Sequence, residues 1–187
     1  MYFFIIAAAA WFIAQTMKVV LESIVAKRIM ISRYFGDGGY PSCHSAFVSA
    51  GLTACLIKFN WNNIFVPNTE SMVLSLFCIF FVVVTRDAVG ARLQQGQTAE
   101  AVNKIMDYFK ENIDDNIFKI FPMLKQQQGH FPHQVVAGDV TGIIAAISLD
   151  FIIYQGNPLL AIISASFGLM LVIAIGLLIN SKKSKAK

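Results

Sequence analysis

The sequence predicts an all-α fold: a polytopic membrane helix bundle with about five transmembrane helices and an amphipathic cytoplasmic helix. Apolar residues make up 56% of the chain and charged residues only 14%, whereas about 25% of a soluble domain is charged. The apolar residues gather into five segments that approach the ~20 residues with which a helix crosses the hydrocarbon core. Most of the Lys and Arg residues lie between these segments. We therefore expect a single membrane domain over residues 1–187.

The five segments differ in length and in how completely apolar they are. They run over residues 1–23, 41–57, 71–90, 134–154 and 158–179. The last contains no charged residue and is followed by a basic tail at 180–187, so it is predicted as an extra C-terminal helix with its flank. The second and third segments are shorter, and we expect them to need polar partners inside the bundle or a locally thinner bilayer.

The loops alternate in charge along the chain. Residues 24–40, 91–133 and 180–187 carry three, five and four Lys or Arg, whereas residues 59–70 and 155–157 carry none. Because basic loops are retained on the cytoplasmic side, we predict the N-terminus outside and the C-terminus in the cytoplasm. The tail accounts for the whole net charge of +4, since the rest of the chain has 11 basic and 11 acidic residues. No nucleic-acid partner is expected.

The long basic loop is predicted to contain a helix. Apolar residues recur there at helical spacing, namely Val102, Ile105, Met106, Phe109 and Ile113, and Thr98 is placed to cap the helix start. We expect this helix to lie against the bundle or the membrane surface. In the fourth segment, Gly138 and Gly142 form a GxxxG pair, which is typical of two closely packed helices.

A glycine-rich loop at residues 36–39 leads into the second segment. Pro41 suits a first helical turn, so Ser42, Cys43 and His44 are expected at a helix N-terminus, where free backbone N–H groups attract an anion. A hydroxyl and an imidazole at this position suit a phosphate site that has an acid or base at hand. The alternative is an ordinary helix start with a histidine at the membrane interface.

Two ionisable residues lie at the end of the first segment. Lys18 and Glu22 are four residues apart and share a helix face with Gln15. Ionisable groups near membrane depth are costly, which favours a functional role, and Arg28 lies two to three turns further on. The alternative is that Lys18 extends to the interface and only pairs with Glu22.

Further candidates flank the long basic loop. Arg92 offers a bidentate fork for phosphate, while Arg86 and Asp87 alternatively form a structural pair. His130 or His133, at the start of the fourth segment, is a candidate nucleophile or base.

The predicted topology brings candidates from four segments to one face of the bundle. Two histidines, His44 and His130, and two cations, Lys18 and Arg92, would then meet near the cytoplasmic interface. This set suits phosphoryl transfer, in which positioning and charge neutralisation supply most of the catalysis.

Residues from Gln15 to about Gly142 resemble the divergent branch of the type-two phosphatidic acid phosphatases, which are related to acid phosphatases and vanadium-dependent haloperoxidases. The residues that carry the resemblance are Lys18, the run Gly38-Gly39-Tyr40-Pro41-Ser42-Cys43-His44-Ser45-Ala46, the stretch from Asp87 to Gly96 with Arg92, then Asn103, and Gly129-His130-Phe131-Pro132 followed by Val135 and Gly138.

The resemblance implies a role for each matching residue. His44 would be the general acid and His130 the nucleophile. Phosphate would be bound by Lys18 and Arg92. Independently of the resemblance, Ser42 at the helix N-terminus and the basic Arg28 are further phosphate-binding candidates. Gln134, Asp87 and Asn103 would support the site. Several features depart from the superfamily pattern: Lys18 lacks the usual Arg-Pro, and no Ser-Arg precedes His130. Cys43 replaces a glycine, and Gln134 stands where a carboxylate would support the nucleophilic histidine. A neutral amide orients an imidazole but does not stabilise its cation as a carboxylate does.

The expected activity is hydrolysis of a lipid or isoprenoid phosphate monoester or diphosphate through a phosphohistidine, at the cytoplasmic face. No metal or other cofactor is expected. The expected partners are membrane lipids and the lipid phosphate, with a homo-oligomer as a further candidate. Two alternatives stay open: a catalytically inactive protein that binds or carries a lipid phosphate, and a structural membrane subunit whose polar residues only hold the bundle together.

The loop charges predict the outcome of a labelling experiment. A cysteine placed at Asn62 should react with an impermeant thiol reagent added outside intact cells, and one placed at Asn112 should react only after the membrane is opened. The reverse pattern would overturn the topology and move the candidate site to the other face.

Overall fold

A computed structural model describes residues 1–36, 38–63, 65–113, 116, 120–124 and 129–185. The long helices are α1 (Tyr2–Ala26), α2 (Cys43–Lys58), α3 (Thr69–Val89), α4 (Ala91–Asn112), α5 (Pro132–Ile153) and α6 (Pro158–Lys185). The described residues form helices, turns and loops without a strand, so the predicted all-α membrane bundle is confirmed. Asp37 in the glycine-rich loop and Lys187 in the basic tail lie outside the described residues.

Three stretches of helix within the described residues are long and apolar enough to cross a membrane: α1, α5 and the run Thr69–Asn112 that joins α3 to α4. The other two apolar helices, α2 and the part Pro158–Ala174 of α6, are shorter. All five predicted apolar segments are therefore helical, although they differ in how far they would reach through the hydrocarbon core.

Three predicted helix ends are wrong. Cys43 rather than Pro41 begins α2, because the Oγ of Ser42 accepts a hydrogen bond from the backbone N–H of Ser45 at 3.3 Å and caps the helix. Thr98 lies inside α4, which begins at Ala91, since the residues between them are good helix formers. The last helix continues beyond residue 179 to Lys185, because Lys and Ser tolerate a helix after the apolar stretch has ended.

Helix α2 lies at the centre of the bundle and packs against α1, α3 and α5, while α6 packs on the far side of α5. Small residues let these helices approach closely. A buried cluster of Ile6, Ala10, Ala50, Ala54, Ala145 and Ala146 joins α1, α2 and α5. The GxxxG pair lies in the same interface, as the sequence predicts. A Cβ on Gly138 would fall 2.3 Å from the carbonyl oxygen of Ser42, and one on Gly142 would fall 2.1 Å from the Oγ of Ser49.

A polar cluster closes the end of the bundle at which α2 and α5 both end. The Nζ of Lys58 lies 2.7 Å from the Oδ1 of Asp150, whose side chain is only 3% exposed. The hydroxyl of Tyr2 donates to the same carboxylate, and the ring centroid of Tyr154 is 3.5 Å from the Lys58 ammonium. This cluster ties α1, α2 and α5 together, and it neutralises the one basic residue at this end of α2.

We predict that Asp150→Ala destabilises the bundle by about 3 kcal/mol, because it leaves the partly buried Lys58 ammonium without its carboxylate. Thermal unfolding of purified protein in detergent measures the effect. The double variant Lys58→Met, Asp150→Leu should recover most of the loss, since it removes both charges together. A double variant as unstable as Asp150→Ala alone would show that packing, and not the ion pair, makes Asp150 important.

Candidate functional site

Two histidines from distant parts of the chain meet at one end of the bundle. His44 is the second residue of α2, and His130 lies two residues before α5. Their ring centroids are 6.1 Å apart and their planes form an angle of 75°. His130 is buried, with 3% of its surface exposed, whereas His44 is exposed. One histidine therefore faces the protein interior and the other lies at the surface.

The position of His130 is set by its backbone. Its N–H donates to the carbonyl oxygen of Ala88 at 3.1 Å, at the junction of α3 and α4. The preceding residue is pressed against the same junction, since a Cβ on Gly129 would lie 2.3 Å from the backbone nitrogen of Leu93. Only glycine fits this contact, so Gly129 lets the backbone beside His130 pack against the start of α4. Pro132 then begins α5, where its missing N–H costs nothing.

The position of His44 is set by the start of α2. The Ser42 N–H donates to the carbonyl oxygen of Gln134 at 3.0 Å, which joins the first turns of α2 and α5. The Oγ of Ser42 accepts from the backbone N–H and the hydroxyl of Ser45. Cys43 and His44 thus hold the first backbone N–H groups of a 16-residue helix, where an anion is favoured by the helix dipole.

Lys18 lies beneath this helix start and is 1% exposed. Its Nζ donates to the Oε1 of Gln15 at 3.0 Å and lies 3.9 Å from the Sγ of Cys43, which is itself 3.8 Å from the Nδ1 of His44. A lysine this deeply buried does not extend to the interface, so that alternative is wrong. The Gly39 backbone covers Lys18: its φ is +88°, and a Cβ there would lie 3.0 Å from the Lys18 Cδ.

Glu22 forms its ion pair with Arg33, in the short 3-10 helix Ile31–Phe35, through two hydrogen bonds of which the Nη2–Oε1 contact measures 3.1 Å. The hydrogen bonds that Arg33 donates to the Glu22 carboxylate raise the pKa of Arg33. The alternative in which Glu22 only pairs with Lys18 is therefore wrong, because Arg33 from the loop forms an ion pair with Glu22. Gln15 donates to the carbonyl oxygen of Tyr34 and so connects the same 3-10 helix to Lys18.

The described contacts do not bring every predicted site residue to the histidines. The Arg92 side chain is 51% exposed and bonds to the Oδ2 of Asp87 at 2.5 Å, so the predicted pairing of Asp87 with Arg86 is wrong. Arg28 is exposed at the end of α1. Asn103 is buried, and its side chain forms hydrogen bonds with both the N–H and the carbonyl of the loop residue Leu124.

Gln134 has a local task at the start of α5. Its Oε1 accepts a hydrogen bond from the backbone N–H of Phe131 at 2.9 Å, as the third helical residue does in a capping box. Its carbonyl oxygen accepts from Ser42. The amide oxygen expected to support His130 is therefore committed to the helix start. The nearby His133 stacks on the ring of Phe131, which distinguishes the two histidines of this turn and favours His130 as the partner of His44.

Sequence reasoning missed the contact between Cys43 and Lys18. The sequence predicts only the position of Cys43 at the start of the second segment, whereas the structure shows its thiol between the lysine and His44. No spacing rule links residues 18 and 43, so only the packing of α1 against α2 reveals the contact. Within the described ranges, no three His, Cys, Asp or Glu side chains come close enough together to hold a metal ion.

These features define an all-helical membrane protein with a histidine pair and a buried lysine at one end of its bundle. The sequence profile of the Divergent PAP2 family matches residues 1–145, and the chain belongs to this family. The predicted resemblance is confirmed, and the match begins at residue 1 rather than at Gln15. A relative described as the uncharacterized membrane protein YuiD of Bacillus subtilis (strain 168) is 30% identical over 152 residues, which are 76% of this chain and 90% of that protein. No solved structure matches the chain significantly.

The cap geometry predicts different effects for two changes at Gln134. Gln134→Leu should cost about 1 kcal/mol, because it leaves the Phe131 N–H unpaired at the start of α5. Gln134→Glu should be as stable as the wild type, since Glu accepts the same bond and favours the helix N-terminus. Thermal unfolding in detergent measures both. An equal loss in the two variants would contradict the capping role.

Proposed function

We propose that the chain is a membrane phosphatase-like protein that hydrolyses a lipid or isoprenoid phosphate monoester or diphosphate through a phosphohistidine. The observation that carries the proposal is that the ring centroids of His44 and His130 lie 6.1 Å apart, at the end of the bundle that also holds the buried Lys18. Membership of a divergent PAP2 family supports the same chemistry.

The proposed reaction has two steps. A ring nitrogen of His130 attacks phosphorus, the bond between phosphorus and the lipid oxygen breaks, and His44 donates a proton to that oxygen. Water then attacks the phosphohistidine while His44 accepts its proton, which releases inorganic phosphate and restores both imidazoles. The N-terminus of α2 and the Lys18 ammonium stabilise the charge on the phosphoryl oxygens.

The proposed site opens on the cytoplasmic side of the membrane. This side follows from the basic loops, because those at 24–40 and 91–133 flank the histidine end of the bundle while loops 59–70 and 155–157 flank the other. A phosphate head group would then enter from the inner leaflet, with membrane lipids as the source of the ligand.

A second function, binding or carrying a lipid phosphate without turnover, is favoured by two observations. Gln134 takes the place of a supporting carboxylate and is used as a helix cap. Arg92, the second expected phosphate cation, is paired with Asp87 on the surface. Phosphate would then be held by the α2 N-terminus and Lys18, while the phosphohistidine would lack the charge that usually stabilises it.

We predict that His130→Ala abolishes phosphate release but retains binding of vanadate, a phosphate analogue, since Lys18 and the α2 N-terminus remain. The assay is a time course of phosphate release from phosphatidate and polyprenyl phosphates by the full chain in lipid nanodiscs. His133→Ala is the matched control, because this histidine starts the same helix but stacks on Phe131, and it should keep wild-type turnover.

Each other result has a clear meaning. Turnover that survives His130→Ala would contradict the nucleophile assignment. Vanadate binding without turnover in the wild type, lost in Lys18→Met, would favour the carrier. The absence of both binding and turnover would reject a phosphate site altogether.

A further inference from the structure

A groove of about 410 Å³ runs along α5 between α1 and α6. Its floor includes Thr141, Ala145 and Ser148, and its sides include Ile13, Met17 and Ala165. The volume lies within the roughly 300–1,000 Å³ of small-molecule sites. Helices α1 and α6 both pack on α5, so the groove is the space left between two helices that share a neighbour.

The lining of the groove is mostly apolar, and its hydroxyl groups already form hydrogen bonds. Its hydroxyl groups are bonded within the protein: the Thr141 Oγ1 donates to the carbonyl oxygen of Ala137 at 2.8 Å, and the Ser148 and Ser164 hydroxyls bond each other at 2.7 Å. These bonds leave the lining suited to hydrocarbon. A polar ligand would lose its hydration here without gaining equivalent bonds.

The dimensions of the groove fit one extended chain. On α6 its lining residues run from Ala161 to Val172, a helical rise of about 16 Å. This is about half of the ~30 Å hydrocarbon thickness, which is the depth of one leaflet. The hydrocarbon chain of a membrane lipid spans about one leaflet, so the groove matches the length of one extended chain.

One end of the groove adjoins the histidine pair and the buried Lys18, which together are called the histidine cluster. Met17 lines the groove and directly precedes Lys18 in α1. Val172 lines it on α6, and its carbonyl oxygen accepts a hydrogen bond from the Tyr40 hydroxyl at 2.6 Å. Burial raises the pKa of Tyr40 to about 12, so this phenol remains a donor at physiological pH. Tyr40 lies two residues before the capping Ser42, and it thus links the groove to the start of α2.

We propose that this groove binds the apolar chain of a lipid phosphate while the phosphate lies at the histidine cluster. The inference rests on the proposed function, which it deepens by placing the hydrocarbon chain of the ligand along α5 and α6. Helix α6, which forms one side, lies beyond the family match at residues 1–145.

The test uses an alkyl phosphate with a photoreactive diazirine at the end of its chain, bound to the full chain in nanodiscs and mapped by mass spectrometry. Labels should fall on α5 and α6 residues of the groove. Ala165→Trp, which fills the groove from its lipid-exposed side, should reduce this labelling at least tenfold. Ser166→Trp is the matched control, because it adds the same ring at the same depth outside the groove lining and should leave labelling unchanged.

Two further measurements separate this inference from the proposed function. If Ala165→Trp leaves labelling unchanged, or if an excess of unlabelled alkyl phosphate does not displace the probe, the groove inference is overturned, and His130-dependent phosphate release can still stand. If the groove is labelled equally by the corresponding alcohol without phosphate, and Lys18→Met changes neither, the head-group site is overturned while the chain site is supported.

Discussion

The close contact between α2 and α5 is the constraint on which the rest of the structure depends. In hydrocarbon there is little hydrophobic force between helices, so packing of small residues and hydrogen bonds must hold them together. Gly138 and Gly142 supply that packing, because any side chain at either position would overlap the backbone of α2. At the first turns, the bond from Ser42 to Gln134 fixes the two helix starts side by side. The histidine pair follows from this alignment.

The two ends of the bundle bury charge in different ways. At one end Lys58 meets a carboxylate and an aromatic ring, a closed arrangement in which each polar group is already used. At the other end Lys18 is covered by the Gly39 backbone and lies beside a thiol and a helix N-terminus, while His44 remains exposed. The first arrangement is suited to stability. The second places an exposed imidazole at a helix N-terminus beside a buried lysine, which is why we propose the phosphate chemistry there.

The groove and the histidine cluster together describe an amphiphilic ligand. A phosphate alone would make no use of the apolar space along α5, and a hydrocarbon alone would make no use of the buried lysine. Tyr40 connects the two parts, since it bonds to α6 and precedes the capping serine of α2. The exposed pair of Arg92 and Asp87 lies at the start of α4, where a change of partner from Asp87 to phosphate would add a second cation to the site.

The sequence by itself determined the number and kind of elements, because a membrane requires each spanning helix to satisfy its own backbone and to be apolar along its own length. It also determined the close packing at Gly138, since GxxxG is a local pattern. Only the tertiary structure decided which charges pair. Glu22 bonds Arg33 rather than Lys18, and Asp87 bonds Arg92 rather than Arg86. In both cases the alternative partner is nearer in the sequence. Side-chain distances depend on how loops and helix junctions fold back onto the helices, and no spacing along the chain encodes them.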